Sequence, residues 1–294
     1  MEHQPRFGLL RRFVRSYRIA RDAYSTFNAA DGWAIASHIA LSALMALFPF
    51  LIVVTALAGF LGSRELADEA AQILLEAWPE QVAAPIAVEI HGVLTSARGD
   101  ALTLGVAFAI FFASSGVESL RIALNRSYGV TERRNWLVLR LESIVYVLIG
   151  AIALLVFSFL VVLAPLIWAA MLRFLPHLAP FGILLTFARF TVAAVVLIAA
   201  LIIVHLWLPA GRRRLRDIAP GILATLVLWL VGGAVFGRYL AEYAFNYFTM
   251  YAGLASAVIA LFFLYITASI FIYGGDLNAA VLRARAREAD QRGD

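Results

Sequence analysis

Residues 181–208 read FGILLTFARFTVAAVVLIAALIIVHLWL, 28 residues broken by one formal charge, Arg189, and one histidine, His205. A helix needs about 20 such residues to cross a hydrocarbon core ~30 Å thick. Five further stretches read the same way: Ala34–Leu61, Ala101–Leu120, Ser143–Leu172, Ile218–Phe236 and Tyr251–Tyr273. Backbone polar groups in lipid must be satisfied within the segment, so each is read as an α-helix. A β-barrel would show ~10-residue segments of alternating polarity, and none occurs. The fold class is therefore all-α: a polytopic membrane protein with six transmembrane helices.

The whole chain agrees with that reading. Its 294 residues are 63% hydrophobic and 15% charged, and its mean hydropathy is +0.86. Soluble domains run at roughly 45–50% apolar and about 25% charged. All 24 basic residues are arginine. Without lysine there is no P-loop lysine, Schiff base or Ser-Lys dyad, so the chain has no ATP-driven motor of its own. Without cysteine there is no disulfide, thiol nucleophile or iron–sulfur cluster.

Arginine placement gives the orientation. Nineteen of the 24 fall in residues 1–33, the segment between spans two and three, the loop holding Arg212, Arg213, Arg214 and Arg216, and the C-terminal tail. The alternate side holds only Arg64, Arg98, Arg173 and Arg238. The positive-inside rule makes both termini cytoplasmic. Three regions result: a basic amphipathic segment at 1–33, a six-span domain at 34–280, and a polar cytoplasmic tail at 281–294. In the first, Leu10, Phe13, Val14, Tyr17 and Tyr24 share one helical face and arginines the other. That pattern suits a helix on the anionic inner leaflet or one packed against the bundle. Residues 62–100 carry a net charge of −5 and two apolar periodicities, at 66–77 and 86–97. They are read as a short amphipathic helical cap on the extracytoplasmic face.

Polar groups inside spans are costly and mark candidate sites. Glu118, Arg121 and Asn125 follow i, i+3, i+7 and share a face. They form either an internal ion pair or a polar patch at a cavity mouth, with Arg121 receiving an anionic group. Asp276 and Asn278 close the last span at the same level, so an Asp276–Arg121 pair is possible. Arg189 has to pair, snorkel or line a cavity, and His38 and Ser42 share a face of span one. Asp31, Asp100 and Asp217 are read as N-caps. Gly233-x-x-x-Gly237 is a helix-packing motif that could join spans or monomers into a homo-oligomer. The five histidines include no i, i+4 pair, so neither a metal site nor a cofactor is expected, and the arginine runs serve topology rather than nucleic acid.

Four stretches together resemble the YihY/BrkB family of bacterial inner-membrane proteins. They are LSALMALFPFL at 41–51, ALNRSYGV at 123–130 leading to Arg133-Arg134, DIAPG at 217–221, and the run from Tyr247 through YAGL at 251–254 to GDLNA at 275–279. Where many relatives read Gly-Ala-Glu near the end, this chain reads Gly-Gly-Asp at 274–276. The resemblance implies a six-span protein of the cytoplasmic (inner) membrane. The family has carried a ribonuclease label and has been linked to serum resistance and to movement of lipid or lipopolysaccharide precursors. These expectations order the functions: a transporter or lipid translocator first, with an amphipathic lipid as substrate, an assembly protein acting through the cap second, and a nuclease last.

The topology is testable by reporter fusions. Fusions after residue 90 should read extracytoplasmic, and fusions after residues 130, 214 and 290 cytoplasmic. A cytoplasmic signal at residue 90 would overturn the six-span order.

Overall fold

The computed structural model describes residues 5–60, 99–160, 164–251 and 254–292. The expected cap at 62–100 lies outside the described residues, apart from its last two. The described chain is helical: α1 (Pro5–Ala29), α2 (Gly32–Phe60), α3 (Gly99–Tyr128), α4 (Trp136–Ser158), α5 (Ala164–Phe174), α6 (Gly182–Trp207), α7 (Leu215–Tyr251) and α8 (Ala255–Arg292). A 3-10 turn, Pro176–Phe181, joins α5 to α6. Six of these helices, α2, α3, α4, α6, α7 and α8, are long and apolar enough to cross a membrane. Their outward faces carry large exposed side chains such as Leu104, Leu148, Phe187 and Leu230. In water such surfaces would aggregate; in lipid they are the solvated face.

Helix boundaries differ from the sequence reading where local chemistry outweighs hydropathy. The expected third span, Ser143–Leu172, is covered by α4 and α5 on either side of residues 161–163, which lie outside the described residues. Asn135 caps α4 by accepting from the Leu137 N–H at 3.0 Å, which starts the helix seven residues earlier than hydropathy suggests. Pro165 occupies the second position of α5, where its missing N–H costs nothing; within one continuous helix it would remove a bond and clash with the preceding turn. Asp217 lies inside the first turn of α7 and accepts from the Arg214 N–H at 3.3 Å, so it closes the helix start from within rather than as its N-cap. Asp31 takes a left-handed φ of 58° in the turn between α1 and α2, which Asp tolerates better than most residues.

Without a hydrophobic drive between helices in lipid, close approach depends on small residues and interhelical hydrogen bonds. Gly116 of α3 lies against Ser42 of α2. Gly221 of α7 lies against Gly274 and Asn278 of α8, and its N–H donates to Asn278 Oδ1 at 2.6 Å. Gly275 faces Leu124 and Ser127 of α3. Of the two alternatives open for Gly233 and Gly237, packing within the chain is not seen among the described residues: nothing among them lies within 4 Å of the position a Cβ would take. Helical period identifies such a motif but not the neighbour it faces.

α1 runs along α8 and packs one face against the bundle. Ala23 and Phe27 are buried against the bundle, and Arg15–Glu288 (3.0 Å) and Arg283–Asp22 (3.0 Å) link it to the end of α8. Val14, Tyr17 and Tyr24 point outward. With exposed Trp33, Trp136 and Trp207 they form an aromatic fringe of the kind found at membrane–water interfaces. All the segments assigned to one side by arginine count meet at this end of the bundle, through Arg134–Leu208, Asn125–Ala210, Arg126–Ala30 and Arg285–Asp217 bonds.

The glycine contacts rank substitutions. Gly221→Ala would drive a methyl group into the Gly274 carbonyl and should cost about 1–3 kcal/mol or block folding. Gly233→Ala meets open space and should be neutral or gain up to about 1 kcal/mol from helix propensity. Thermal unfolding of the solubilised variants checks the order; equal effects would contradict the packing.

Candidate functional site

The polar residues of α3 divide among three neighbours. Arg121, 2% exposed, turns toward α4. It donates to Leu139 O (3.1 Å), to Ser143 Oγ (3.2 Å) and to Glu118 Oε1 (3.3 Å). Glu118 also accepts from Arg140 of α4 at 3.2 Å, so one carboxylate joins two arginines. The Asp276–Arg121 pair considered from sequence is not formed. Ser127, which together with Leu124 faces α8 at Gly275, is six residues beyond Arg121 and therefore about 120° around the helix from it. Arg121 is enclosed, and its donors are committed to α3 and α4.

Asn125 takes a different role. Its Nδ2 donates to Glu132 at 3.2 Å and its Oδ1 accepts from the Ala210 N–H at 2.7 Å. It thereby fastens the loop at 129–135 to the loop at 208–214. Arg134 completes the junction: it forks onto Glu132 (2.9 and 2.8 Å), reaches Glu142 at 2.7 Å and donates to Leu208 O at 3.2 Å. The Arg134 side chain, with help from its backbone N–H and the Asn125 amide, holds the Glu132 carboxyl at about 2 against the opposing effect of burial. Arg213 stacks on the Tyr128 ring at 3.9 Å. Arg134 entered the sequence reading as topological charge and at the end of the 123–130 stretch, and Arg213 as topological charge alone; Glu132 and Glu142 were not singled out, and the Glu132–Arg134 spacing across a short loop was the available signal.

A surface groove runs between α2 and α3 at the arginine-rich end, with a cavity of about 620 Å³. His38, Ser115, Glu118, Ser119, Asp31 and Arg126 line it beside Ile35 and Ile122. His38 Nδ1 and Ser119 Oγ are hydrogen-bonded at 2.8 Å, and Arg126 reaches Ala30 O at 3.0 Å and Asp31 at 3.4 Å. Ser42, a turn above His38, is buried against Gly116 and not in the groove. Of the residues expected to form a site, the fold brings His38 and Glu118 together here, with Arg121 behind Glu118. Asp276 and Asn278 lie across the bundle on α8. Arg189 lies alone on α6, over the Phe190 ring at 4.7 Å, 16 residues and about 24 Å along the axis from His205. Among the described residues, no three His, Asp or Glu side chains gather to hold a metal.

Six apolar helices tied at one end by arginine–carboxylate bonds, with an aromatic fringe there, define an α-helical membrane protein. The chain belongs to the BrkB family: the family model described as Virulence factor BrkB matches residues 23–294. It is 24% identical over 271 residues to a Bacillus subtilis protein named as ribonuclease-like, YfkH, covering 92% of this chain and 97% of that one. It is 27% identical over 300 residues to a UPF0761 membrane protein of Rhodospirillum centenum, covering 97% of this chain and 63% of the relative's length. No solved structure matches.

The Glu132 junction gives a pH prediction. A carboxyl held low in the folded state adds stability above its ordinary value of 4.5 and loses it as pH falls toward about 2. Glu132→Gln should therefore cost on the order of 2–3 kcal/mol at pH 7, and the difference should shrink steadily below about pH 4.5. Thermal unfolding of both proteins across that range is the check; a pH-independent difference would remove Glu132 from the junction.

Proposed function

We propose that this chain is an inner-membrane transporter that moves a phosphate-bearing amphiphile, without ATP hydrolysis of its own and with both termini in the cytoplasm. The groove between α2 and α3 carries the reading. It is polar, yet it lies on the outer surface of the bundle, where lipid would be its neighbour. Exposed Leu41 and Phe48 of α2 and Phe108 and Phe111 of α3 continue from it toward the opposite end. Such a surface suits a molecule with a polar head and apolar tails: the head beside Arg126, Ser115 and His38, the tails along the exposed apolar ridge. Arg126 is half-exposed and held only by Asp31 and a backbone carbonyl, whereas Arg121 is enclosed. Arg126 is thus the better phosphate ligand, and Arg121 acts behind it by orienting Glu118.

The arginine distribution and the aromatic fringe support a cytoplasmic level for the groove. The cap at 62–100 could serve an envelope partner, but the groove gives the more specific chemistry. A nuclease reading taken from the name of the Bacillus relative has no metal-holding group among the described residues to rest on.

The test is lipid translocation. Full-length protein reconstituted into vesicles should move a fluorescent short-chain phospholipid between leaflets faster than protein-free vesicles do. Arg126→Gln combined with His38→Ala should slow that movement about tenfold, the equivalent of ~1.4 kcal/mol, with the protein still folded. Wild-type vesicles no faster than empty ones would overturn the proposal.

A further inference from the structure

Asp276 is fully buried, and among the described residues neither of its carboxylate oxygens has a hydrogen-bond partner. This sets it apart from the other acids of the bundle's inner end. Glu118 has two arginines, Glu132 and Glu142 share Arg134, and Asp217 has Arg285. An ionised carboxylate removed from water without a counter-charge or donors is far more costly than its neutral acid. Most buried polar groups in folded proteins are hydrogen-bonded, so an orphaned acid at a helix junction requires an explanation.

The surroundings of Asp276 can be enumerated helix by helix. On α8 itself, Tyr273, Asp276 and Arg283 are spaced i, i+3, i+10 and lie along one strip, and Tyr273 and Arg283 are its titratable neighbours there. Both are tied to α1: Tyr273 Oη donates to Ala20 O at 3.3 Å, and Arg283 donates to Asp22 at 3.1 Å and Thr26 Oγ1 at 2.9 Å. The nearest guanidinium therefore already has its own acid. From α3, the closest groups are Ser127, whose hydroxyl lies beside the Asp276 carboxyl but donates its proton to Ala123 O at 3.0 Å, and Tyr128, which stacks under Arg213. From α2 come Ala36 and Ile39, packed with Ile272 one turn above. α7 meets α8 here through Gly221 and Thr225, neither of them charged. Asp276 thus sits beneath α1 with no free cation facing it.

We propose that Asp276 is a proton-binding site: its carboxyl is held as the neutral acid under α1 and exchanges its proton with the aqueous phase when α1 lifts from α8. The exchange involves no covalent change, because the proton passes from the acid to water and returns. The polar attachments of α1 are the Tyr273–Ala20 bond, the Arg283 bonds to Asp22 and Thr26, and the Arg15–Glu288 pair, each of modest strength. Ala23 and Phe27 are buried between them, so proton exchange requires a local opening of that packing. The use of this proton to drive movement of the amphiphile rests on the transport reading above; the binding of the proton does not.

The test uses full-length protein in lipid vesicles. Infrared difference spectra across pH 5 to 9 should show the carbonyl stretch of a protonated carboxyl at pH 7, absent in Asp276→Asn and shifted in Asp276→Glu. Because unfolded Asp276 ionises above about pH 4 while the folded carboxyl keeps its proton, Asp276→Asn should fold and be the more stable protein at pH 7, and its advantage should shrink as the pH is lowered toward 4. If Asp276→Asn does not fold, the wild-type band and its shift in Asp276→Glu still decide the matter. No Asp276-dependent band at any pH in that range, or stabilisation of wild type by sodium or potassium that Asp276→Asn lacks, would overturn the proposal and mark Asp276 as an ionised carboxylate. Vesicles that show the band but move no lipid would refute the transport reading alone.

Discussion

The 2.6 Å hydrogen bond from the Gly221 N–H to Asn278 Oδ1 fixes how far α8 reaches along α7, and much of the inner end follows from that register. It forms only because Gly221 and Gly274 let the two backbones approach, and in lipid such contacts replace the hydrophobic drive that would join helices in water. With α8 held at this depth, Gly275 meets Leu124 and Ser127 of α3, and Phe271 joins Leu201, Leu208 and Ile218 in one apolar cluster. Asp276 is carried into the interior as a consequence of the same fit. The cost of burying it is part of the arrangement that seats the helix.

A second level of organisation is electrostatic and lies at the loops. Arg134 and Asn125 link the segments 129–135 and 208–214, and Arg283 and Arg15 bind α1 to α8. These bonds join pieces that are distant in sequence at one membrane face, where charged groups can keep contact with water. The groove between α2 and α3 opens at this end of the bundle.

The spans were legible in the sequence because they depend on composition and apolar length. Helix ends were less so. The start of α4 depends on one cap, Asn135, and a hydropathy window averages over it. The site was only partly legible. The i, i+3, i+7 spacing of Glu118, Arg121 and Asn125 identified a shared face, but a single helix does not say which neighbour that face meets. Arg121 turned to α4 rather than to Asp276, and Asn125 joined a loop. Close approach at Gly274 and Gly275 was legible as a pair of small residues at the end of the span, but their neighbours, Gly221 and Thr225 of α7 and Leu124 of α3, were not.

α8 is one unbroken helix of 38 residues, about 57 Å long. Seen mechanically, it is a lever with its fulcrum at Gly274 and Gly275, where α7 and α3 clamp it. The two arms are nearly equal, about 30 Å from Ala255 to Gly274 and about 27 Å from Gly275 to Arg292. A force applied near the end of the second arm, where Arg15 pairs with Glu288, reaches Phe271 and Ile272 without crossing a joint, so the last turns of the helix have leverage on the packing at its centre.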